Sequence, residues 1–219
     1  MRVLVACERS GIVRRALRSR KIEAWSCDLF PAEDGSEFHF TCDVRRIIDA
    51  PRRSDFTHLV AFPDCTYLTV SGLHWNKRGA LGPDGRPRAE HTEEAVAFFR
   101  YLHDADFEGT VLENPVGCIS TRIRLPDQIV QPHEFGDDAS KKTCLWLRRV
   151  PKLIIDPKMR FPGRKVEWPP GSGKLVERWS NQTDSGQNKL APSETRAIDR
   201  ARTYPGLAEA LADAVARAA

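Results

Sequence analysis

Short β-branched apolar runs alternate along this chain with stretches whose apolar residues recur every three to four positions. Residues 2–7 form the first run. Ser10-Gly11 follows, and Ile12, Val13, Ala16 and Leu17 then fall at helical spacing, so the chain opens as strand, glycine-containing turn and helix. Residues 24–29 read as a second strand ending at Asp28, 38–44 as a third ending near Asp43, and 57–62 as a fourth running into Pro63-Asp64-Cys65. A helical pattern over residues 90–101 carries Ala95, Val96, Phe98 and Phe99, with Leu102 continuing it, and residues 109–112 form a fifth strand ending at Glu113-Asn114-Pro115. A last helix over 207–218 follows Pro205-Gly206. Strands alternating with helices predict an α/β fold on a mainly parallel sheet.

Two stretches break the rhythm. Residues 73–88 are rich in Gly, Pro and Arg, and 156–192 in Pro, Gly, Ser, Asn and Gln; both are expected to be long loops or a small irregular lobe, the kind of segment that carries function. With 219 residues and 41% hydrophobic content, one ordinary domain with a full core is expected. No apolar run is long enough to span a membrane or, at the amino terminus, to act as a secretory leader, so a cytoplasmic location is expected. The six cysteines show neither CxxC nor Cys/His pairing, which predicts reduced thiols and no metal site. Net charge is +4, a balance that permits a polyanionic partner without requiring one.

Chemistry enters at the strand ends, because ligands of open parallel sheets collect where the carboxyl ends of the strands meet loops and helix amino termini. Asp28, about 20 residues after the first turn, stands where such domains place an acid that accepts from ribose hydroxyls. Asp43 is positioned to accept from an adenine amino group; the alternative for both acids is that they cap turns. The first turn, Glu8-Arg9-Ser10-Gly11, has one glycine and does not fit a fingerprint for pyrophosphate, which favours a cofactor without phosphates. Cys65 is a candidate nucleophile, against the common role of a thiol as a small core residue. Glu113, at the same sheet edge, turns the balance: a thiol and a carboxylic acid in one crevice suit covalent catalysis on a heteroaromatic ring.

In this order the residues resemble the cytosine-5 DNA methyltransferases, especially the small versions of bacteriophages and prophages. The resemblance covers most of the chain and is carried by Ala6-Cys7-Glu8-Arg9-Ser10-Gly11-Ile12-Val13-Arg14, Trp25-Ser26-Cys27-Asp28, Cys42-Asp43-Val44, Pro63-Asp64-Cys65-Thr66-Tyr67-Leu68, Leu112-Glu113-Asn114-Pro115-Val116-Gly117, Lys142-Thr143-Cys144-Leu145-Trp146-Leu147, Trp179-Ser180-Asn181-Gln182-Thr183 and Arg202-Thr203-Tyr204-Pro205-Gly206. It implies a Rossmann-like methyltransferase fold. Residues 1–155 would be the catalytic core, 156–195 a small irregular DNA-recognition region, and 196–219 a C-terminal helix returning to the core.

By the same resemblance, S-adenosylmethionine lies against Glu8, Ser10, Gly11, Ile12, Asp28, Leu29, Asp43, Val44 and Pro63. Cys65 attacks C6 of a flipped cytosine, Glu113 holds N3 and the exocyclic amine beside Asn114, and Lys141, Lys142 and Thr143 stand where the family keeps a basic residue for O2. The expected partner is DNA, double-stranded or single-stranded, bound by a monomer. Its phosphates are expected to meet Arg78, Arg86 and Arg88 with Trp75, then Lys158, Arg160, Arg164 and Lys165, with Trp168 or Trp179 wedging or stacking.

Three departures from the family are visible. The first turn lacks the Phe-x-Gly-x-Gly pattern. Asp64 replaces the second proline before the nucleophile and, as an anion, is expected to raise the thiol pKa, which assigns it some other part in catalysis. At 219 residues the chain is also expected to leave little room for the separate recognition domain of larger relatives. Two alternatives follow: related cysteine chemistry with another donor or on a free nucleotide, and an inactive DNA-binding relative.

Overall fold

The computed structural model describes residues 1–50, 55–190 and 202–218. A seven-stranded sheet organises them, with strands β1 (Arg2–Ala6), β2 (Glu23–Asp28), β3 (His39–Thr41), β4 (His58–Ala61), β5 (Gly109–Pro115), β6 (Gln128–Val130) and β7 (Thr143–Arg148) in the order β3-β2-β1-β4-β5-β7-β6. The pairings among β3, β2, β1, β4 and β5 are parallel, and β7 runs antiparallel to both β5 and β6. This is an α/β architecture with a mostly parallel sheet, compatible with a Rossmann-like fold. The chain grows from β1 first towards β3 and then, from β4, in the opposite direction, which puts the topological switch point between β1 and β4.

Each face of the sheet buries a separate cluster. On one, Val3, Val5, Val60 and Val111 pack under α1 (Ile12–Ser19) and the C-terminal helix α6 (Pro205–Ala216), where Val13 and Leu17 meet Leu211 and Val215. On the other, Leu4, Leu59 and Leu112 pack under α4 (Arg88–Asp104) through Val96, Phe99 and Leu102, and Phe99 meets Trp146 of β7 edge-on at 5.0 Å. Strands buried on both faces explain why β1 and β4 read as continuous apolar runs instead of alternating ones. No described helix is long and apolar enough to cross a membrane.

Several elements differ from the sequence pattern. The third strand is only His39–Thr41, and the fifth continues past Leu112 to Pro115, so Glu113 lies in the ladder, not beyond it. Part of the expected loop at 73–88 is helical, as α3 (Val70–Lys77). Two further short helices, α2 (Arg45–Ile48) and α5 (Ile119–Arg122), cover strand ends. Within 156–190 the chain forms a separate antiparallel hairpin, β8 (Arg164–Glu167) and β9 (Leu175–Arg178). The remainder of the expected 156–195 region, and residues 196–201 of the C-terminal segment, lie outside the described residues.

The loops after β4 and β5 are bound to each other. Thr69 bridges Gly117, Val70 N donates to Val116 O, and Cys118 N donates to Leu68 O at 2.9 Å. The approach at Gly117 is so close that an added Cβ would lie 1.9 Å from the Leu68 carbonyl oxygen. Gly117→Ala is therefore expected to displace the loop that carries Cys65 and to destabilise the protein by about 1–3 kcal/mol, as overpacking does. Thermal denaturation would read this as a drop of several degrees; an unchanged midpoint would contradict the close approach.

Candidate active site

The first turn closes on itself. Gly11 adopts φ 66°, and an added Cβ would meet the Arg14 guanidinium at 2.4 Å and Asp34 Oδ2 at 2.9 Å, so only glycine fits. The first amides of α1 then find side-chain acceptors within the turn: Ile12 N donates to Ser10 Oγ (3.4 Å), Val13 N to Glu8 Oε1 (2.6 Å) and Arg14 N to Glu8 Oε2 (3.3 Å). Glu8 is buried, and burial pushes its carboxyl up to about 7 although the two amides pull the other way. Below the turn, buried Arg14 donates to Ser26 Oγ and pairs with Asp34, which Arg15 also holds. Burial alone would raise the Asp34 carboxyl, but the two guanidinium groups bring it down to about 2.

Acids crowd the crevice beyond β1, β2 and β4. Burial pushes the Cys7 thiol up to about 12, and the carboxylates of Asp28, Asp43 and Asp64 add to that rise, so all three project negative potential onto the end of β1. Asp28 Oδ1 accepts from Phe30 N at 3.0 Å, which ties one oxygen to a turn. Both oxygens of Asp43 are held by the Arg45 guanidinium, and Oδ1 also accepts from Arg45 N at 2.9 Å. The Arg45 fork holds the Asp43 carboxyl below the usual range. Leu29 stands 68% exposed beside Asp28, whereas Val44 and Pro63 are buried and present no free face.

The segment after β4 has few internal bonds, and later parts of the chain supply its partners. Asn114, fully buried on β5, donates Nδ2 to Pro63 O at 2.9 Å. Asp64 Oδ1 accepts from Thr66 N (3.0 Å) and Thr66 Oγ1 (2.7 Å), an Asx turn that bends the chain around Cys65. Cys65 O accepts from the amides of Leu68 and Thr69, Thr66 O from Arg88, Tyr67 O from Thr92 Oγ1, and Leu68 O from Cys118 N. The Tyr67 ring lies between His91, stacked at 4.8 Å, and the Arg88 guanidinium at 4.5 Å. Cys65 is half-buried on this braced loop.

Glu113 faces a cation across β7. Its residue is 8% exposed, its Oε1 has no hydrogen-bond partner, and Lys141 Nζ lies 3.9 Å away. Burial pushes the Glu113 carboxyl up, while the Lys141 ammonium and the Thr143 hydroxyl pull it down. The β5–β7 register produces this grouping, setting Glu113 opposite Leu145 and Pro115 opposite Thr143. Thr143 is fully buried and donates to Lys141 O at 3.0 Å, shaping the turn that aims the lysine; Lys142 points to solvent.

The more distant basic residues divide. Arg78 is exposed over Trp75 at 5.4 Å, and Lys158 and Lys165 are exposed. Arg86 is paired with Asp84 and Glu94, Arg160 with Glu177, and Arg164 with Asp184, while Arg88 braces the Cys65 loop. Trp179 is buried against His133, stacked at 3.9 Å, which corrects the expectation that it wedges or stacks on DNA; Trp168 is half-buried at the hairpin tip. Thr92, His91 and the capping role of Glu8 were missed in the sequence, since each depends on a partner that only the folded chain brings near.

A carboxyl raised by burial binds a proton in the folded state that the unfolded state has released, so the Glu8 contribution to stability is full below about pH 4.5 and is lost as pH rises through about 7. Glu8→Gln, which cannot ionise, should gain on the wild type by on the order of 3 kcal/mol over that interval. Denaturant unfolding of both proteins at pH 4.5, 6 and 7.5 measures it, and parallel profiles would refute the buried carboxyl. The chain matches no family model and no curated protein, so the geometry of the site carries the functional reading.

Proposed function

We propose that the protein is a DNA cytosine-5 methyltransferase of the Rossmann-like methyltransferase fold, with Cys65 as nucleophile and Glu113 as the acid that grips the base. The observation that carries this is the buried Glu113 carboxyl with an orphaned oxygen, beside Lys141 and next in the chain to the Asn114 that anchors the Pro63–Cys65 turn. Cytosine presents O2, N3 and the 4-amino group along one edge. A protonated carboxyl donates to N3 and accepts from the amine, which matches the upward push that burial gives Glu113, and an ammonium beside it suits O2.

The residues at the neighbouring strand ends fit S-adenosylmethionine better than a dinucleotide. Glu8 occupies the amides at the head of α1, where a pyrophosphate would otherwise dock. The acids around Cys7 disfavour phosphate and favour a cation such as a sulfonium. Asp28 would hold the ribose with its second oxygen, and Leu29 would cover the adenine; Asp43, already gripped by Arg45, is the weaker contact. S-Adenosylmethionine, when bound, supplies an electrophilic methyl group.

Cys65 thiolate adds to C6 of an extruded cytosine, and the electron pair of the C5–C6 double bond moves to C5 while Glu113 stabilises the charge spread to N3. C5 would then bond to the methyl carbon as the methyl–sulfur bond breaks, its electron pair staying on sulfur so that S-adenosylhomocysteine leaves. A base then removes the C5 proton, the double bond reforms, and the Cys65 thiolate leaves. Asp64, acting in the Asx turn, gives Cys65 its approach, so an unusual donor is not needed to explain this residue. The exposed Arg78 with Trp75, and Lys158 and Lys165 near the hairpin, supply phosphate contacts, on DNA as the partner.

An oligonucleotide containing 5-fluorocytosine tests the reading, because the fluorine at C5 cannot leave as a proton does and the adduct persists. Denaturing gels should show a covalent complex with S-adenosylmethionine present, and Cys65→Ala should abolish it. Glu113→Gln should slow its formation by about 10²-fold or more. The reading is abandoned if wild-type protein forms no adduct and leaves cytosine mass unchanged.

A further inference from the structure

Arg9 is the residue of the first turn whose charge the fold leaves unanswered. Its guanidinium makes no hydrogen bond or ion pair with the described residues, its Nε is buried without a partner, and its carbon lies 5.5 Å from the centroid of the Phe30 ring. Phe30 is 59% exposed and follows Asp28 by two positions, its amide donating to the Asp28 carboxylate. Arg9 and Asp28 therefore lie at the ends of the adjacent strands β1 and β2, with Phe30 near both. The backbone of Arg9 is fixed there, with its carbonyl accepting from Glu33 N at 3.0 Å.

The neighbouring cations are already committed. Arg14 and Arg15 both hold Asp34, and Arg20 holds Glu209 and Asp213. The head of α1, the ordinary docking place for an anion, is closed by the chain's own Glu8 and Ser10. An amino-acid tail entering this crevice carries both signs. The acids around Cys7 answer its ammonium and sulfonium, and Arg9 is the side-chain cation of the turn left to answer its carboxylate.

We infer that Arg9 binds the α-carboxylate of the methionyl tail of S-adenosylmethionine, replacing a glycine-rich turn with a side-chain cation; this rests on the donor proposed above. The guanidinium over the Phe30 ring, with no carboxylate paired to it, is free to offer a two-pronged edge. A polar head on an aromatic platform, with a desolvated Nε, is poised to gain from an incoming anion and loses little side-chain entropy on binding.

Calorimetric titration separates the possibilities without relying on turnover. Wild type, Arg9→Ala and Arg9→Lys are each titrated with S-adenosylmethionine and with decarboxylated S-adenosylmethionine, which keeps the sulfonium and amine and lacks only the carboxylate. Arg9→Ala should weaken S-adenosylmethionine by about tenfold or more, the loss of a charge-assisted pair, and leave the decarboxylated ligand within about twofold of wild type. Arg9→Lys should fall between, keeping the charge without the fork. Equal losses for both ligands, or none for either, would overturn the role of Arg9 while leaving the donor intact. Failure of wild type to bind either ligand would overturn the donor, and the inference with it.

Discussion

The loop that carries Cys65 holds its place because four consecutive carbonyls, from Cys65 to Leu68, all find donors. None of the four is left to water, and three receive bonds from residues more than twenty positions away: Arg88, Thr92 and Cys118. Buried carbonyls without partners each cost a desolvation penalty, so the loop adopts the one path that satisfies them together. Asn114 extends the arrangement to Pro63. A segment without secondary structure of its own is thereby held in place by bonds from distant parts of the chain.

Electrostatics divides the sheet edge into two regions. Around Cys7 the field is negative, and around Glu113 a buried acid faces a lysine. The switch point between β1 and β4 lies between the two regions. Glu8 contributes by an unusual route: a buried carboxyl group accepts from the amides at the head of α1 from inside the turn, at the expense of any outside anion.

Much of the framework was legible in the chain. The runs at β1, β2 and β4 and the periodicity of α4 and α6 are strong because each is buried on a defined face. β3 came out shorter than its apolar run because it is an edge strand with a single neighbour. α3 was hidden: Ser71-Gly72 and Asn76 interrupt its pattern, and it is tied to α4 by the Asn76 bond to Thr92. Neither β7 nor its insertion between β5 and β6 was read from the chain, and that insertion is what sets Lys141 beside Glu113. Cys65 and Glu113 stood out by lying at strand ends, while the engagement of Asp43, Arg86 and Arg164 by local partners depended on side-chain reach.

The β8–β9 hairpin forms its own two-stranded ladder and lends no strand to the main sheet. Its tip, from Trp168 through Ser172 to Lys174, can accordingly change in length and composition without breaking a single pairing in the seven-stranded core. Variation at that tip is thermodynamically insulated from the sheet edge that carries Cys65 and Glu113, and a lineage could remodel this outlying surface while inheriting that edge untouched.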